Sequence, residues 1–395
     1  MASLDAAAAE FAAKALGTFW TLFFAASVVA DLDLLPGVSA RLRAFAARGK
    51  QADAEPSSPS APAGLRAEAK WWVPHKWFAH FYVVGIACNA FVLAHALAEP
   101  LSAEHAAATL ASCLFQAHVI RRFLETAFVA RHRAGARMHI VGYLVGVVYY
   151  VAAPMTLATP QTTRAVCATF RVALQNAVAG DSPFVRSRKA LEAPPLASIS
   201  NRSKETRPFE LARALVSLAK ELVSPVSVAR VSRVAFGTYA FLFGSVKQAR
   251  CHRLLARLRE TPRATETRAK ATRAEDRSGT LRLSSGTKLR GLDTSNTSMT
   301  QIRDVGRRLH TNKTHYAVPR GDWFEVVSSP HYLAECVLYA GLALVAGARA
   351  FPRLAPMLAA VGANLALAAR RTHAWYLETF PEYPKNRWAM VPGLL

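Results

Sequence analysis

The strongest constraint on how this 395-residue chain can fold is the segregation of its charges from its apolar residues. Residues Trp77 to Ala98 contain no Lys, Arg, Asp or Glu, whereas Arg250 to Lys313 contain sixteen Lys/Arg and six Asp/Glu. A water-soluble domain of this length interleaves the two classes. Long uncharged runs joined by basic connectors mark a polytopic membrane protein: a span must be apolar over about 20 residues, and cytosolic connectors attract Lys and Arg.

The expected fold class is therefore all-α and polytopic, with about seven transmembrane helices. The spans are read at Phe11–Ala30, Trp77–Ala98, Ala106–Phe128, Met138–Thr159, Val231–Gln248, Tyr332–Phe351 and Leu354–Ala369. Thr162–Ala179, interrupted by Arg164 and Arg171, is ambiguous and is not counted. A lumenal N-terminus puts Arg41–Lys76, Arg131–Arg137, Arg250–Lys313 and the C-terminal tail in the cytosol, and leaves the uncharged-to-acidic loop Glu99–Glu104 in the lumen. The basic stretch Arg186–Arg230 then falls on the lumenal side, against the rule, although long loops follow it weakly.

The organisation expected is N-terminal helices over residues 1–181, a basic insertion over 182–230, a helix with a cofactor-side end over 231–259, a basic low-complexity insertion over 260–315, and a C-terminal core over 316–395. The insertion centres, Ser182–Ser224 and Thr261–Lys313, are rich in Arg, Ser, Thr and Ala, lack apolar periodicity and are expected to be disordered, with a short amphipathic helix at Leu211–Leu222. Asn201, Asn296 and Asn312 stand in N-x-[ST] sequons, of which only Asn201 is lumenal in this topology.

Forty-nine Lys+Arg against 26 Asp+Glu raises the question of nucleic acid. The cations lie in Ser/Thr/Ala-rich connectors without a nucleic-acid-binding signature, so no such partner is expected. The five cysteines (Cys88, Cys113, Cys167, Cys251, Cys336) are scattered, without zinc-ligand spacing, and imply neither metal nor disulfide framework. Met1–Glu10 is Ala-rich and acidic, unlike a signal peptide, so the apolar stretch after it reads as a first span. Nothing calls for an obligate protein partner.

Neither a dinucleotide-binding glycine fingerprint, a P-loop nor a nucleophile elbow is present. Gly142 and Gly146 are better explained by helix packing than by a ligand. Chemistry is carried instead by polar residues at helical spacing within or beside spans, where each is costly in hydrocarbon. His118, Arg121, Arg122 and Glu125 share one side of a helix, as an internal ion pair or a functional group. Gln248, His252 and Arg259 line another, suited to an anionic ligand such as a phosphate or simply a basic helix end. After Gly321–Asp322–Trp323–Phe324–Glu325, Ser329 is a plausible N-cap and Pro330 a first helical residue, and His331, Glu335 and Tyr339 then recur every four residues. Finally, His373 and Tyr376 precede a Pro-bounded turn bearing Lys385 and Arg387, a set that could also be an interfacial anchor.

These segments resemble the steroid 5α-reductase family, and specifically its polyprenol reductase branch. The resemblance lies in Val73–Tyr82 with Asn89, His118–Glu125, Met138–Tyr150, Gln248–Arg259 and Tyr316–Leu395, and it covers neither insertion. It implies a seven-helix membrane reductase of the endoplasmic reticulum holding NADPH near the cytosolic side through Gln248, His252, Arg259, Tyr316, His331, Glu335, Tyr376 and Arg387. Steroid-acting relatives more often carry Asn or Asp where this chain has Gln248, His252 and His331, and a Tyr where it has Val119. The implied reaction is reduction of the α-isoprene double bond of polyprenol or polyprenal, to dolichol or dolichal, for dolichol-linked protein N-glycosylation. Because only a conjugated carbonyl makes the β-carbon electron-poor, the aldehyde is favoured as immediate substrate. Tyr376, His118 and Glu125 are the candidates for polarising the carbonyl or supplying the proton. The alternatives are a steroid 4-dehydrogenase, an isoprenylcysteine-type membrane methyltransferase and, least favoured, a lipid-binding scaffold.

Overall fold

The computed structural model describes residues 2–46, 71–100, 102–130, 136–178, 225–258 and 317–395. Both insertion centres, the helix expected at Leu211–Leu222, the three sequons, Arg259 and Tyr316 lie outside these residues. Nine α-helices are described: α1 (Ala2–Leu32), α2 (Pro36–Ala46), α3 (Phe78–Ala98), α4 (Ala103–Leu124), α5 (Ile140–Leu157), α6 (Pro160–Val178), α7 (Pro225–Leu258), α8 (Pro330–Ala346) and α9 (Phe351–Thr379). The β-structure is slight: β1 (Trp72–Pro74) pairs antiparallel with β2 (Arg137–His139), setting Trp72 opposite His139.

The chain is an all-α, polytopic membrane protein. Four helical segments are long and apolar enough to cross a membrane: Leu4–Leu32, His75–Ala98, Ile140–Leu157 and Ala348–Thr379. Large apolar residues such as Phe11, Leu22, Leu144, Phe236 and Leu242 lie exposed on the helices, as a lipid-facing surface requires. Of the other three expected spans, α8 is apolar but has 17 residues, and α4 and α7 carry the charged cluster described below. The ambiguous stretch Thr162–Ala179 is the helix α6, strongly one-sided, and Arg171 ties it to Asp5 of α1 by bonds of 2.8 and 3.1 Å.

Local chemistry accounts for the ends that matter. Ser102 caps α4 by accepting from the backbone N–H of His105 at 3.1 Å, and α4 runs on into a π-helical turn, Glu125–Val129. Ser329 occupies the cap position of α8, but its hydroxyl makes no cap bond; the start is set by Pro330 and by Ser329 N–H donating to Ala389 O at 3.1 Å. At the far end, the Arg233 guanidinium of α7 caps α8 through Leu344 O and, at 2.9 Å, Val345 O.

The main core joins α1, α4, α5, α8 and α9 through Trp20, Phe115, Val119, Leu157, Leu338, Leu342 and Met357, all buried. Alongside it α7 packs on α8 backbone to backbone. A Cβ on Gly341 would stand 2.6 Å from Phe241 N, and one on Gly244 2.7 Å from Ala334 O. This approach brings the polar faces of α7 and α8 within hydrogen-bond reach of one another and of α4. Gly142 and Gly146 are packing positions, facing Phe45 O and the Phe81 ring.

Candidate active site

Four helices contribute to one buried polar cluster. From α4 and its π-helical turn come His118, Arg121, Arg122 and Glu125; α7 supplies Gln248 and His252, α8 supplies Glu335, and α3 adds Tyr82. Arg121 donates to Glu125, to Gln248 Oε1 at 2.5 Å and to His118 Nδ1 at 3.2 Å. Arg122 donates to Glu125 Oε2 at 2.6 Å and to Tyr82 OH at 2.8 Å. Gln248 passes the network on by donating from Nε2 to Glu335. Two guanidinium groups thus face two carboxylates and an amide in a nearly dry interior, the condition under which buried charges are tolerated.

The histidines are placed differently. His118 is 1% exposed; its Nδ1 accepts from Arg121, so the neutral ring carries its proton on Nε2. That Nε2 lies 3.5 Å from Glu335 Oε1 and makes no hydrogen bond, leaving a buried donor aimed at a carboxylate it does not reach. His252 Nδ1 lies 2.7 Å from both Arg122 Nη1 and Glu125 Oε2. It accepts from the first when unprotonated and donates to the second when protonated, so its tautomer selects the bond. His331 stacks obliquely against His252, with ring centres 5.7 Å apart.

Next to the cluster, toward the middle of α8, the hydroxyls of Tyr149 (α5) and Tyr339 (α8) meet at 2.5 Å. The Tyr339 ring is 6.1 Å from that of His118 and 6.4 Å from that of Phe115. Helical spacing had put Tyr339 on the face of His331 and Glu335, whereas Tyr82 and Tyr149 were not singled out. Their signal was an aromatic hydroxyl inside an apolar span, at Val73–Tyr82 and at Val148–Tyr149–Tyr150.

Tyr376 and Arg387 belong to a second group, a collar formed by residues 317–329, the end of α9 and the C-terminal tail. Ser328 N–H donates to Trp388 O at 2.8 Å and Trp388 N–H to Val326 O at 3.0 Å. The Ser328 hydroxyl sits between His373 Nδ1 (2.6 Å) and Tyr383 OH (2.7 Å). Tyr376 is buried and stacks face to face on Tyr383, ring centres 5.0 Å apart. Arg387, fully buried in its side chain, donates to Pro319 O at 2.9 Å and Glu325 Oε2 at 3.2 Å. Lys247 and Arg250 of α7 reach the collar through Asp322, at 2.8 and 3.0 Å, where Asp322 adopts a left-handed backbone (φ 53°) after Gly321 (φ 87°).

Burial raises the Asp322 carboxyl, but the Lys247 hydrogen bond and the charges of Lys247 and Arg250 outweigh it and hold the group below its ordinary value. Glu325 is also held low, first by the Gly321 N–H donating at 2.5 Å and then by Arg387.

The structure therefore brings His118, Glu125, Gln248, His252 and Glu335 into one cluster, with His331 at its edge, and sets Tyr376 and Arg387 in the collar. Among the described residues no group of three or more His, Cys, Asp or Glu side chains is arranged to hold a metal ion.

Comparison with known proteins identifies the family. Residues 291–395 match the family described as 3-oxo-5-alpha-steroid 4-dehydrogenase. Over 389 residues the chain is 30% identical to Polyprenal reductase 1 of Oryza sativa subsp. indica, covering 89% of this chain and 87% of the relative. It is 29% identical over 344 residues to Polyprenal reductase 1 of Arabidopsis thaliana, covering 82% of each. With the human Polyprenal reductase it shares 24% over 361 residues, covering 85% of this chain and 81% of that one. The expected resemblance thus holds well beyond the C-terminal third, and the chain belongs to the 3-oxo-5-alpha-steroid 4-dehydrogenase family of reductases, in its polyprenol reductase branch.

Proposed function

We propose that this membrane oxidoreductase uses NADPH to reduce the α-isoprene double bond of polyprenal, giving dolichal, in the endoplasmic reticulum membrane, and so serves dolichol-linked protein N-glycosylation. The observation that carries the reading is the cluster itself: buried donors, two of them without acceptors, inside helices whose outer faces are apolar. Relatives named polyprenal reductase support the aldehyde as substrate, as does the chemistry.

The donor set fits a dinucleotide phosphate. Arg121 Nε is buried and makes no hydrogen bond, as expected where a ligand's oxygen completes the site. Gln248, His252, His331 and Glu335 are the described residues that would hold the cofactor, with Arg259 and Tyr316 as further proposals, and Arg250, largely exposed beside Asp322, is available to its phosphates. When bound, NADPH supplies the two electrons as hydride. His118 Nε2–H, aimed away from its Arg121 bond, would polarise the carbonyl oxygen, with Glu335 and Gln248 fixing the ring's surroundings. Glu125 and His252 share a proton-bearing contact that can reset the protonation of the cluster, while the apolar core excludes water. Arg387 and Tyr376 shape the collar around the site.

The test is reduction of polyprenal, polyprenol and an enone steroid by detergent-solubilised protein with NADPH or NADH. Polyprenal reduction with NADPH, lost in Glu335→Gln, is the expected result; turnover of the steroid or of polyprenol in its place would overturn the substrate assignment.

A further inference from the structure

The phenol pair beneath the cluster is unexplained by helix packing. Tyr149 donates to Tyr339 at 2.5 Å, in the core formed with Phe115 and Leu338. Two hydroxyls bonded only to one another satisfy one hydrogen, and the other has no acceptor among the described residues. Tyr339 is 2% exposed, so water does not readily take that hydrogen. His118 Nε2, 1% exposed and also without a hydrogen bond, sits on the ring that meets Tyr339 edge to face at 6.1 Å. A buried donor without an acceptor is costly, and here two are carried by neighbouring rings, one of them 3.5 Å from a Glu335 carboxylate oxygen. Val119, the residue after His118 and itself fully buried, offers no hydroxyl.

We propose that Tyr339, with Tyr149 behind it, is a catalytic residue whose phenolic O–H donates a hydrogen bond, without transferring the proton, to the substrate's aldehyde oxygen alongside His118. An aldehyde oxygen is acceptor-only, with two lone pairs, and so satisfies both orphaned donors at once. Donation by Tyr149 into the Tyr339 oxygen polarises the second O–H and makes it the stronger donor. The donors act most where charge develops on the oxygen of the enolate-like transition state, so their effect is on turnover more than on binding. Tyr339 sits one helical turn beyond Glu335 on α8, which orders the proposed site from cofactor residues to carbonyl to apolar tail.

This inference rests on the function proposed above, and its test separates the two. Wild-type protein, Tyr339→Phe, Tyr149→Phe and a variant carrying 3,5-difluorotyrosine at position 339 are compared for kcat and KM with polyprenal, with NADPH affinity measured by fluorescence titration. The expected result is a kcat loss of roughly a hundredfold in Tyr339→Phe, typical of removing one oxyanion donor, and a smaller loss in Tyr149→Phe, with NADPH affinity retained. The fluorinated variant keeps the side chain's shape but ionises more easily; the alkaline limb of its kcat profile should move to lower pH. Wild-type kcat in Tyr339→Phe, or an unshifted limb in the fluorinated variant, would overturn the inference and leave the reductase reading standing. A wild-type protein inert towards polyprenal would overturn both.

Discussion

The central cluster and the collar solve the same problem, burying charge beside a membrane, by opposite means. In the cluster, side chains from four helices answer one another: Arg121 and Arg122 against Glu125, Gln248 against Glu335, with almost no backbone group taking part. In the collar, the side chains lean on backbone. Arg387 is held by Pro319 O, Glu325 by Gly321 N–H, and the two stretches of chain are joined by the bonds of Val326 and Ser328 to Trp388 and of Ser329 to Ala389. A side-chain network can change partners when a ligand or proton arrives; one anchored in backbone holds a fixed shape. Under the proposed function, the cluster is the part suited to chemistry and the collar the part suited to positioning.

Substitutions should separate the two by size of effect. The largest is expected for Arg122→Ala, which removes one of the two guanidinium partners of the buried Glu125 carboxylate and the donor to Tyr82: about 3–5 kcal/mol of stability, read as a lower melting temperature in detergent, with activity abolished. Next is Gly341→Ala. Its Cβ would stand 2.6 Å from Phe241 N, so α7 and α8 must part, at about 1–3 kcal/mol, and the Gln248–Glu335 contact should loosen with them. If thermal stability is unchanged in that variant, the close approach of α7 and α8 is not what assembles the cluster.

In the collar, Ser328→Ala leaves the backbone bonds in place and removes only the hydroxyl between His373 and Tyr383. About 1 kcal/mol is expected, with kcat altered less than KM for NADPH. The smallest effect is that of pH on the 321–325 turn. Asp322 and Glu325 both ionise below their ordinary values in the folded protein. Their contribution is therefore complete above the ordinary carboxylate range and is lost as pH falls through the lowered values. Amide exchange across residues 321–327, corrected for its intrinsic pH dependence, should accelerate only at that acidic end; acceleration near neutrality would contradict the assigned ion pairs.

The same contrast explains what was legible in the sequence. Spacing of three and four residues found the one-sided faces of His118–Glu125, Gln248–His252 and His331–Glu335, because a helix turns periodicity directly into proximity. It could not reveal that Gln248 contacts Glu335, or that Arg122 crosses to Tyr82, since those pairings depend on how helices pack, the first on the close approach of α7 and α8 at Gly237, Gly244 and Gly341. In the collar the Gly321–Asp322 turn and Pro330 start were readable as local chemistry, but Ser329 as a side-chain cap was not realised: the tail supplies Ala389 O in a bond 60 residues away in sequence. Tyr376 and Arg387 are cofactor-side residues only by resemblance; Tyr376 stacks on Tyr383 and Arg387 bonds Pro319 and Glu325 in the collar, contacts that no helical spacing announces.

The central claim is that the conjugated double bond, not the aldehyde, is reduced at this site. It is tested most directly by supplying purified protein with polyprenal and NADPH deuterated at the reactive C4 position, then locating the label in the product by NMR. Deuterium at the β-carbon of a saturated α-isoprene unit, the aldehyde retained, is the predicted result. Deuterium at the former aldehyde carbon, with the double bond intact, would contradict it.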